Sequence, residues 1–375
     1  MQDAIVVGGG IVGMATAYHL VRAGAQVLLV DREEQGKATA AGAGILSPES
    51  SANESDDWFD LAAEAVDYYP KLIAELHTEG ARDTGYAPME QLVVAVAEDE
   101  DAAFSVLHKR MIARIERRGR NAADDLELID IDTARELFPA LAPAHHALRF
   151  RRAGRIDGRR ITAAMLEVAI RNGLKVQSAN VTQLTMIGDQ VSGIVAKGET
   201  ISGGAVVIAG GAWSGEFAAQ LGITLPIQPQ RGQIIHLAVP NMDTSRLPIV
   251  TPFHGHYILP FADNRIVVGA TREFVGFAPH TTAAGIREVL SEALRVVPGL
   301  SDASIAEIRV GLRPASPDHL PVLGRVPTAR NVFIATGHGA TGLQLGPYSG
   351  KLIAEVVLGK GDEKRLEPFR VERFA

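Results

Sequence analysis

The stretch "AIVVGGGIVGMATAYHLVRAGAQVLLVDRE" at residues 4–33 limits the possible folds more than any other part of the chain. Two short apolar runs, "AIVV" and "VLLV", bracket a glycine cluster and a helical pattern that stops at Gly24. A strand, a tight turn, a helix and a second strand make a βαβ unit, and such a unit needs a parallel sheet. The spacing Gly8-x-Gly10-x-x-Gly13 is the dinucleotide fingerprint. Gly8 permits the tight turn, Gly10 lets the backbone approach a pyrophosphate, and Gly13 lets the helix close on the strand. The helix that begins there directs unpaired N–H groups and a positive dipole end at phosphate. Asp31 ends the second strand at roughly the ~20-residue distance expected of a ribose-binding acid, and its charge disfavours the extra phosphate of NADP.

Two later strand-to-glycine transitions, "AVVIAGGAWSG" (205–215) and "VFIATGHGATG" (332–342), lie far away in sequence. One doubly wound sheet would bring all three to its carboxyl edge. The cofactor domain is therefore expected to be discontinuous, with a substrate domain inserted in pieces. The apolar periodicity predicts helices over 58–80, 99–118, 133–141, 158–173 and 283–296, and strands over 91–97, 147–157 and 254–260. The small residues of "KATAAGAGILSPES" (37–50) show no period, which suits either an ordinary loop or backbone that approaches a ligand closely.

Composition narrows the functional classes. At 375 residues the chain has room for about two domains. A net charge of −7 argues against nucleic acid, and the densest basic run, "HKRMIARIERRGR" (108–120), reads as a solvated helix face. The absence of cysteine removes disulfides, thiolate metal sites, iron–sulfur clusters and any cysteine-linked prosthetic group, and no metal site is expected. With no leader ahead of Ala4 and no apolar run of ~18 residues, a cytoplasmic location is expected, with peripheral membrane attachment left open.

The chain resembles the glycine oxidase and D-amino-acid oxidase family of FAD-dependent amine oxidoreductases over nearly its full length. The resemblance rests on "VVGGGIVGMATAYHLVRAGAQVLLVDRE", "TAAGAGILSPES", "AVVIAGGAWSG", "RIVVGATRE", "VGLRPASPDHLPVLGR", "GHGATGLQLGPYSGKLIAEVV" and "PFRVERF", in the family's order and spacing. It implies an α/β fold: a discontinuous Rossmann-like FAD-binding domain over 1–85, 145–222 and 320–375. An α+β substrate domain on a mixed or antiparallel sheet is inserted over 86–144 and 223–319. The implied cofactor is FAD, held without a covalent bond unless a histidine serves. By the same resemblance FAD lies against Gly8, Gly10, Ile11, Val12, Gly13, Asp31 and Arg32. The small-residue loop adds Thr39, Ala43, Gly44, Ile45 and Leu46 beside the flavin, and Val181 lines the adenine pocket. Ala209, Gly210 and Trp213 come from the second glycine turn. Gly337, His338, Gly339, Ala340, Thr341, Gly342 and Leu343 face the isoalloxazine, with His338 either supporting reduced flavin or only packing.

The implied reaction is oxidative deamination of glycine or a small D-amino acid. A hydride passes from Cα to flavin N5, and the imine hydrolyses to a 2-oxo acid and ammonia. Such chemistry asks the protein mainly to hold Cα in place. A planar guanidinium suits the substrate carboxylate, and Arg313 in "VGLRPASPD" matches the family's carboxylate-binding arginine. In "HGHYILP", Tyr257 and His256 are the candidates to flank the substrate, and alternation puts His254 and His256 on one face and Tyr257 on the other. Arg272 stands where glycine oxidases tend to be apolar, and Ala340 where some relatives carry a second basic residue, so strict glycine specificity is not expected. Oxidation of a secondary amine (sarcosine, proline-like), a 2-hydroxy-acid oxidoreductase and the flavin subunit of an electron-transfer complex stay open. So do the acceptor (oxygen, or a quinone or other carrier) and homo-oligomerisation.

Overall fold

The computed structural model describes residues 1–375 and builds them on two sheets. The first carries, in spatial order, Val322–Val326, Ala329–Thr336, Glu199–Ile208, Gln2–Val7, Val27–Asp31 and Lys175–Ser178. Its centre is parallel, from Ala329–Thr336 through Lys175–Ser178. Ala4 to Val7 are all buried, with Ala4 and Val6 packed on one face of the sheet and Ile5 and Val7 on the other. A strand sandwiched on both sides reads as the unbroken apolar run seen in the sequence. From Gln2–Val7 the sheet grows one way to Val27–Asp31 and the other way to Glu199–Ile208. That reversal opens a crevice beyond the carboxyl ends of the two strands, where ligands bind in such sheets.

The second sheet runs Ser304–Ala315, Gln228–Ala238, Arg265–Gly269, Tyr257–Phe261, Ile249–Thr251, Ala87–Ala95, His146–Arg155 and Ile45–Leu46. It is antiparallel except where Ile249–Thr251 runs parallel to Ala87–Ala95, so it is mixed. The expected boundary at 145 is displaced. His146–Arg155 pairs with Ala87–Ala95 and Leu126–Ile129 in this second sheet, burying Ala147, Leu148 and Phe150. Ile45–Leu46 pairs there too, so every strand between residues 45 and 155 belongs to the second sheet.

Helices follow their periodicity closely: Asp56–Thr78, Asp101–Arg117, Gly158–Arg171 and Ala283–Val296 occupy the expected spans. Ser55, Asp157 and Thr282 cap three of them with side-chain oxygens that accept from N–H groups of the first turn. The helix expected over 133–141 is shorter and runs Ile131–Leu137. The strand expected over 254–260 starts only at Tyr257, because His254 (φ +34°) and Gly255 (φ +74°) form a turn in the left-handed region. The alternation argument for His254 and His256 therefore does not apply.

The basic run at 108–120 is not a freely solvated face. Arg114 is buried and donates to the carbonyl oxygens of Pro48 (3.1 Å), Ser51 (2.8 Å) and Asn53. Arg118 and Arg120 both meet the fully buried carboxylate of Glu49. This helix therefore pins the loop from Pro48 to Asn53 against the molecule. No helix is long and apolar enough to cross a membrane.

Candidate active site

One cavity of about 1560 Å³ fills the crevice between the sheets, larger than the ~300–1,000 Å³ of an ordinary small-ligand pocket. One end is formed by the first sheet. Gly8 (φ +110°) turns the chain, and a side chain on it would strike the backbone of Ala209. The N–H groups of Gly9 and Gly10 make no hydrogen bond within the protein, and both residues line the cavity. Unpaired donors at the start of the helix Ile11–Arg22 are what a pyrophosphate needs. The Ile11 N–H is taken by Thr39 Oγ1 at 3.0 Å, so Thr39 ties the small-residue loop to the glycine turn.

Asp31 lies beside Gly9, where its Oδ2 would be 2.9 Å from an added Cβ, and its carboxylate pairs with Lys37. Arg32 donates to Asn180 Oδ1 (3.1 Å), pairs with Glu216 (2.8 Å) and sets its guanidinium 5.4 Å from the Trp213 ring centre. Val181 lines the same end. The cavity's length, free N–H groups and acid beside the glycine turn suit a dinucleotide such as FAD.

Most of the predicted cofactor residues line this cavity, including Ala43, Gly44, Ile45, Ala209, Gly210, Trp213 and the run His338 to Leu343. Gly13, Leu46 and Gly337 do not. Gly13 packs under the turn, since a Cβ there would overlap the Gly8 carbonyl oxygen. Leu46 is buried in the core, and Gly337 (φ +77°) packs on Val322. They shape the wall rather than form its surface.

The other end of the cavity is chemically distinct. Arg313, in the strand Ser304–Ala315, donates from Nη1 to the Thr271 carbonyl oxygen (2.8 Å) and to Gln230 Oε1 (3.4 Å). Burial pulls its guanidinium down to about 10, and the neighbouring Arg272 charge acts in the same direction. Burial pushes the Tyr257 phenol up to about 12 against the opposing pull of both arginines, so the hydroxyl is a neutral donor near pH 7. Arg272 reaches the same chamber and donates to the Gly255 carbonyl oxygen at 2.7 Å. Four arginines line the cavity: Arg32 and Arg110 have carboxylate partners, and Arg272 and Arg313 have none.

Two glycines that sequence reasoning missed make this arrangement possible. Gly232 lies beneath the Arg313 guanidinium, where any Cβ would overlap it. Gly269, paired directly with Tyr257, leaves room for the phenol, whose oxygen would be 2.6 Å from an added Cβ. A lone glycine in a strand signals close approach of another group, so "RGQ" at 231–233 held the clue.

The three histidines near this end are held by different partners. His256 also lines the cavity: its Nδ1 meets the His254 carbonyl oxygen at 2.9 Å, and its buried Nε2 lies 3.6 Å from Glu288 without a hydrogen-bond partner. His254 faces Glu100 and Glu292 instead. His338 is buried, with Nε2 3.0 Å from Ser349 Oγ, and burial draws its imidazole down to about 4. It is neutral at pH 7 and brings no positive charge to the cavity wall.

This gives a pH prediction. Unfolded, His338 takes up a proton below about pH 6.5, whereas folded it resists until about 4. Its contribution is present above pH 6.5 and is lost as pH falls through that window, reaching on the order of 3 kcal/mol at about 1.4 kcal/mol per unit. Buried His19 and His236 shift in the same direction. Tm should therefore fall between pH 6.5 and 4, and fall less steeply in His338→Asn. Equal slopes would show that His338 does not couple to acid unfolding.

A two-sheet α/β frame with a dinucleotide crevice at one end of the cavity and two guanidiniums without acid partners at the other suits an oxidoreductase that carries a dinucleotide cofactor. A family model of FAD dependent oxidoreductases (DAO) matches residues 3–356, and the chain belongs to that family. Its cofactor is FAD, and its substrates are amines or amino acids. It is 39% identical to the uncharacterized oxidoreductase YurR of Bacillus subtilis (strain 168), over 98% of both chains. It is 32% identical to the glycine oxidase of Pseudomonas aeruginosa PAO1, over 96% of this chain and 95% of that one. The structure is similar to that of iminodiacetate oxidase (IdaA) from Chelativorans sp. BNC1, with a TM-score of 0.93, 38% identity and 98% of each chain covered.

Proposed function

We propose that the protein oxidises the Cα–N bond of small amino acids, with glycine or a small D-amino acid as the minimal substrate, and that it prefers an amine bearing two carboxylates. The observation that carries this reading is the pair Arg313 and Arg272, two guanidiniums without acid partners opening on one chamber. A guanidinium held out of water next to a like charge gains most from a carboxylate that bridges or divides the two. The likeness to an iminodiacetate oxidase, whose named substrate has one carboxylate on each side of a secondary amine, supports the same choice.

Bound FAD supplies the acceptor for the two electrons and hydrogen leaving the substrate carbon. The chain's own residues do the rest. Arg313 holds the carboxylate on the carbon to be oxidised, and the Tyr257 hydroxyl donates to an oxygen of the same group. Arg272 takes the second carboxylate at the edge of the chamber. Holding both ends leaves one C–H with little freedom to turn away, and this ordering is the protein's main catalytic contribution. The resulting imine takes up water and splits to a 2-oxo acid and an amine. For iminodiacetate that amine is an amino acid, and for glycine it is ammonia.

Anaerobic bleaching of the flavin across iminodiacetate, sarcosine, glycine, D-alanine, D-glutamate, their L-counterparts and 2-hydroxy acids tests this. Iminodiacetate and D-glutamate should reduce the flavin fastest. Arg272→Ala should slow these two by roughly tenfold or more while glycine changes little, because a single charged hydrogen bond is worth ~1.5–3 kcal/mol. Equal loss for glycine and iminodiacetate would remove Arg272 from the second-carboxylate role. Faster reduction by L-amino acids or hydroxy acids would overturn the substrate class.

A further inference from the structure

Residues 270–282 join the strand Arg265–Gly269 to the helix Ala283–Val296, and from 273 they make an excursion that is buried at its neck and bare at its tip. At the neck, the Arg231 N–H donates to the Glu273 carbonyl oxygen (2.8 Å) and the Glu273 N–H donates back (3.0 Å). The Arg231 guanidinium, only 4% exposed, reaches the Glu273 carboxylate and the carbonyl oxygens of Ala278 (3.2 Å) and His280 (3.3 Å). Gln233, fully buried, bonds Glu273 Oε1 (2.8 Å) and Thr282 Oγ1 (3.0 Å). The tip is the opposite: Phe274, Val275 and Phe277 are 61%, 43% and 53% exposed.

The tip does not hang free. Phe277 stacks on Trp213, ring centres 5.5 Å apart at 29°. Pro279 rests on Gly36, where an added Cβ would come within 2.6 Å. Trp213 and Gly36 follow strands of the first sheet, whereas the neck belongs to the second. The excursion thus crosses the crevice between the two sheets. Trp213 in turn lines the cavity at the end that holds Asp31, Arg32 and Val181.

We infer that residues 273–280 form a strap that closes the adenosine end of the cavity through the stack of Phe277 on Trp213, and that this stack sets how fast FAD leaves. The strap rests on the family's use of FAD and not on any choice of substrate. The stiff neck fixes where the tip can be, so the tip's single aromatic contact controls the Trp213 wall.

The test is FAD release from the yellow holoenzyme after dilution, followed by the rise in free-flavin fluorescence. Phe277→Ala should speed release about twofold to tenfold, the range expected from losing one aromatic pair. Phe277→Trp keeps a stacking face and should release at the wild-type rate. Phe274→Ala, whose ring does not meet Trp213, should also release at that rate. Wild-type release from Phe277→Ala would overturn the strap. So would release from Phe274→Ala as fast as from Phe277→Ala, because the tip would then be acting as a whole, as it would if it covered a partner surface.

Discussion

Arg313→Met should lower kcat/KM for amino-acid substrates by about thirty- to several-thousand-fold while leaving FAD bound. The range follows from ~2–5 kcal/mol for removing one partner of a buried charged pair, converted at about 1.4 kcal/mol per tenfold. The guanidinium has no carboxylate of its own, and its protein contacts are a carbonyl oxygen and an amide oxygen. An anion from outside is therefore the partner that completes it. Arg313→Lys should recover only part of the loss, because an ammonium cannot match both carboxylate oxygens in one plane. FAD absorbance should be near normal in both variants, since the glycine turn that suits the pyrophosphate lies at the other end of the cavity. Wild-type kinetics in the Met variant would end the carboxylate assignment.

Arg272 cannot simply replace Arg313. It is exposed at the chamber's edge and spends one N–H on Gly255, whereas Arg313 lies deeper beneath the substrate side of the cavity. The two charges also repel. An empty chamber with both guanidiniums present stores that repulsion, and a dianionic substrate relieves it more fully than a monoanion does. This is why Arg272→Ala should separate one-carboxylate from two-carboxylate substrates, while Arg313→Met should damage both.

The parts of the molecule readable from sequence are those whose physics is local. The turn at Gly8–Gly13 needs no partner elsewhere to be recognised, because backbone geometry and phosphate chemistry both require glycine at those spacings. Helix spans were equally legible from apolar period and caps. What depended on distant residues was not. Arg114, Arg118 and Arg120 looked like a solvated face because the backbone oxygens and the Glu49 carboxylate that receive them lie more than sixty residues earlier. The strand at 254–260 was misread because two left-handed residues, His254 and Gly255, cut it short, and alternation cannot register a backbone turn. That cut leaves Tyr257 as the first residue of the strand, with His256 just before it on the same cavity wall. Arg313 had no distinguishing local mark, and only resemblance to a family pointed to it. Its convergence with Tyr257 and Arg272 comes from separate parts of the second sheet.

Gly232→Ala should reproduce much of the Arg313→Met defect without touching the arginine. Gly232 and Gly311 are paired across the strands Gln228–Ala238 and Ser304–Ala315, and the Arg313 side chain folds back over Gly232. A methyl group there overlaps three guanidinium atoms, so the head group must move. The displaced atoms are the end of a flexible side chain beside an open cavity, not backbone, so the fold should tolerate the change. Alanine in place of a strand glycine also lowers the entropy of the unfolded chain, which helps to hold Tm near the wild-type value. The expected result is a protein with normal FAD content and melting temperature, KM for iminodiacetate or glycine raised, and kcat/KM down by roughly thirtyfold or more, the lower end of the range for losing the buried contact. Unchanged kinetics would mean that the guanidinium works from a position other than the one above Gly232. A large fall in Tm would instead place the strain in the sheet rather than in the side chain.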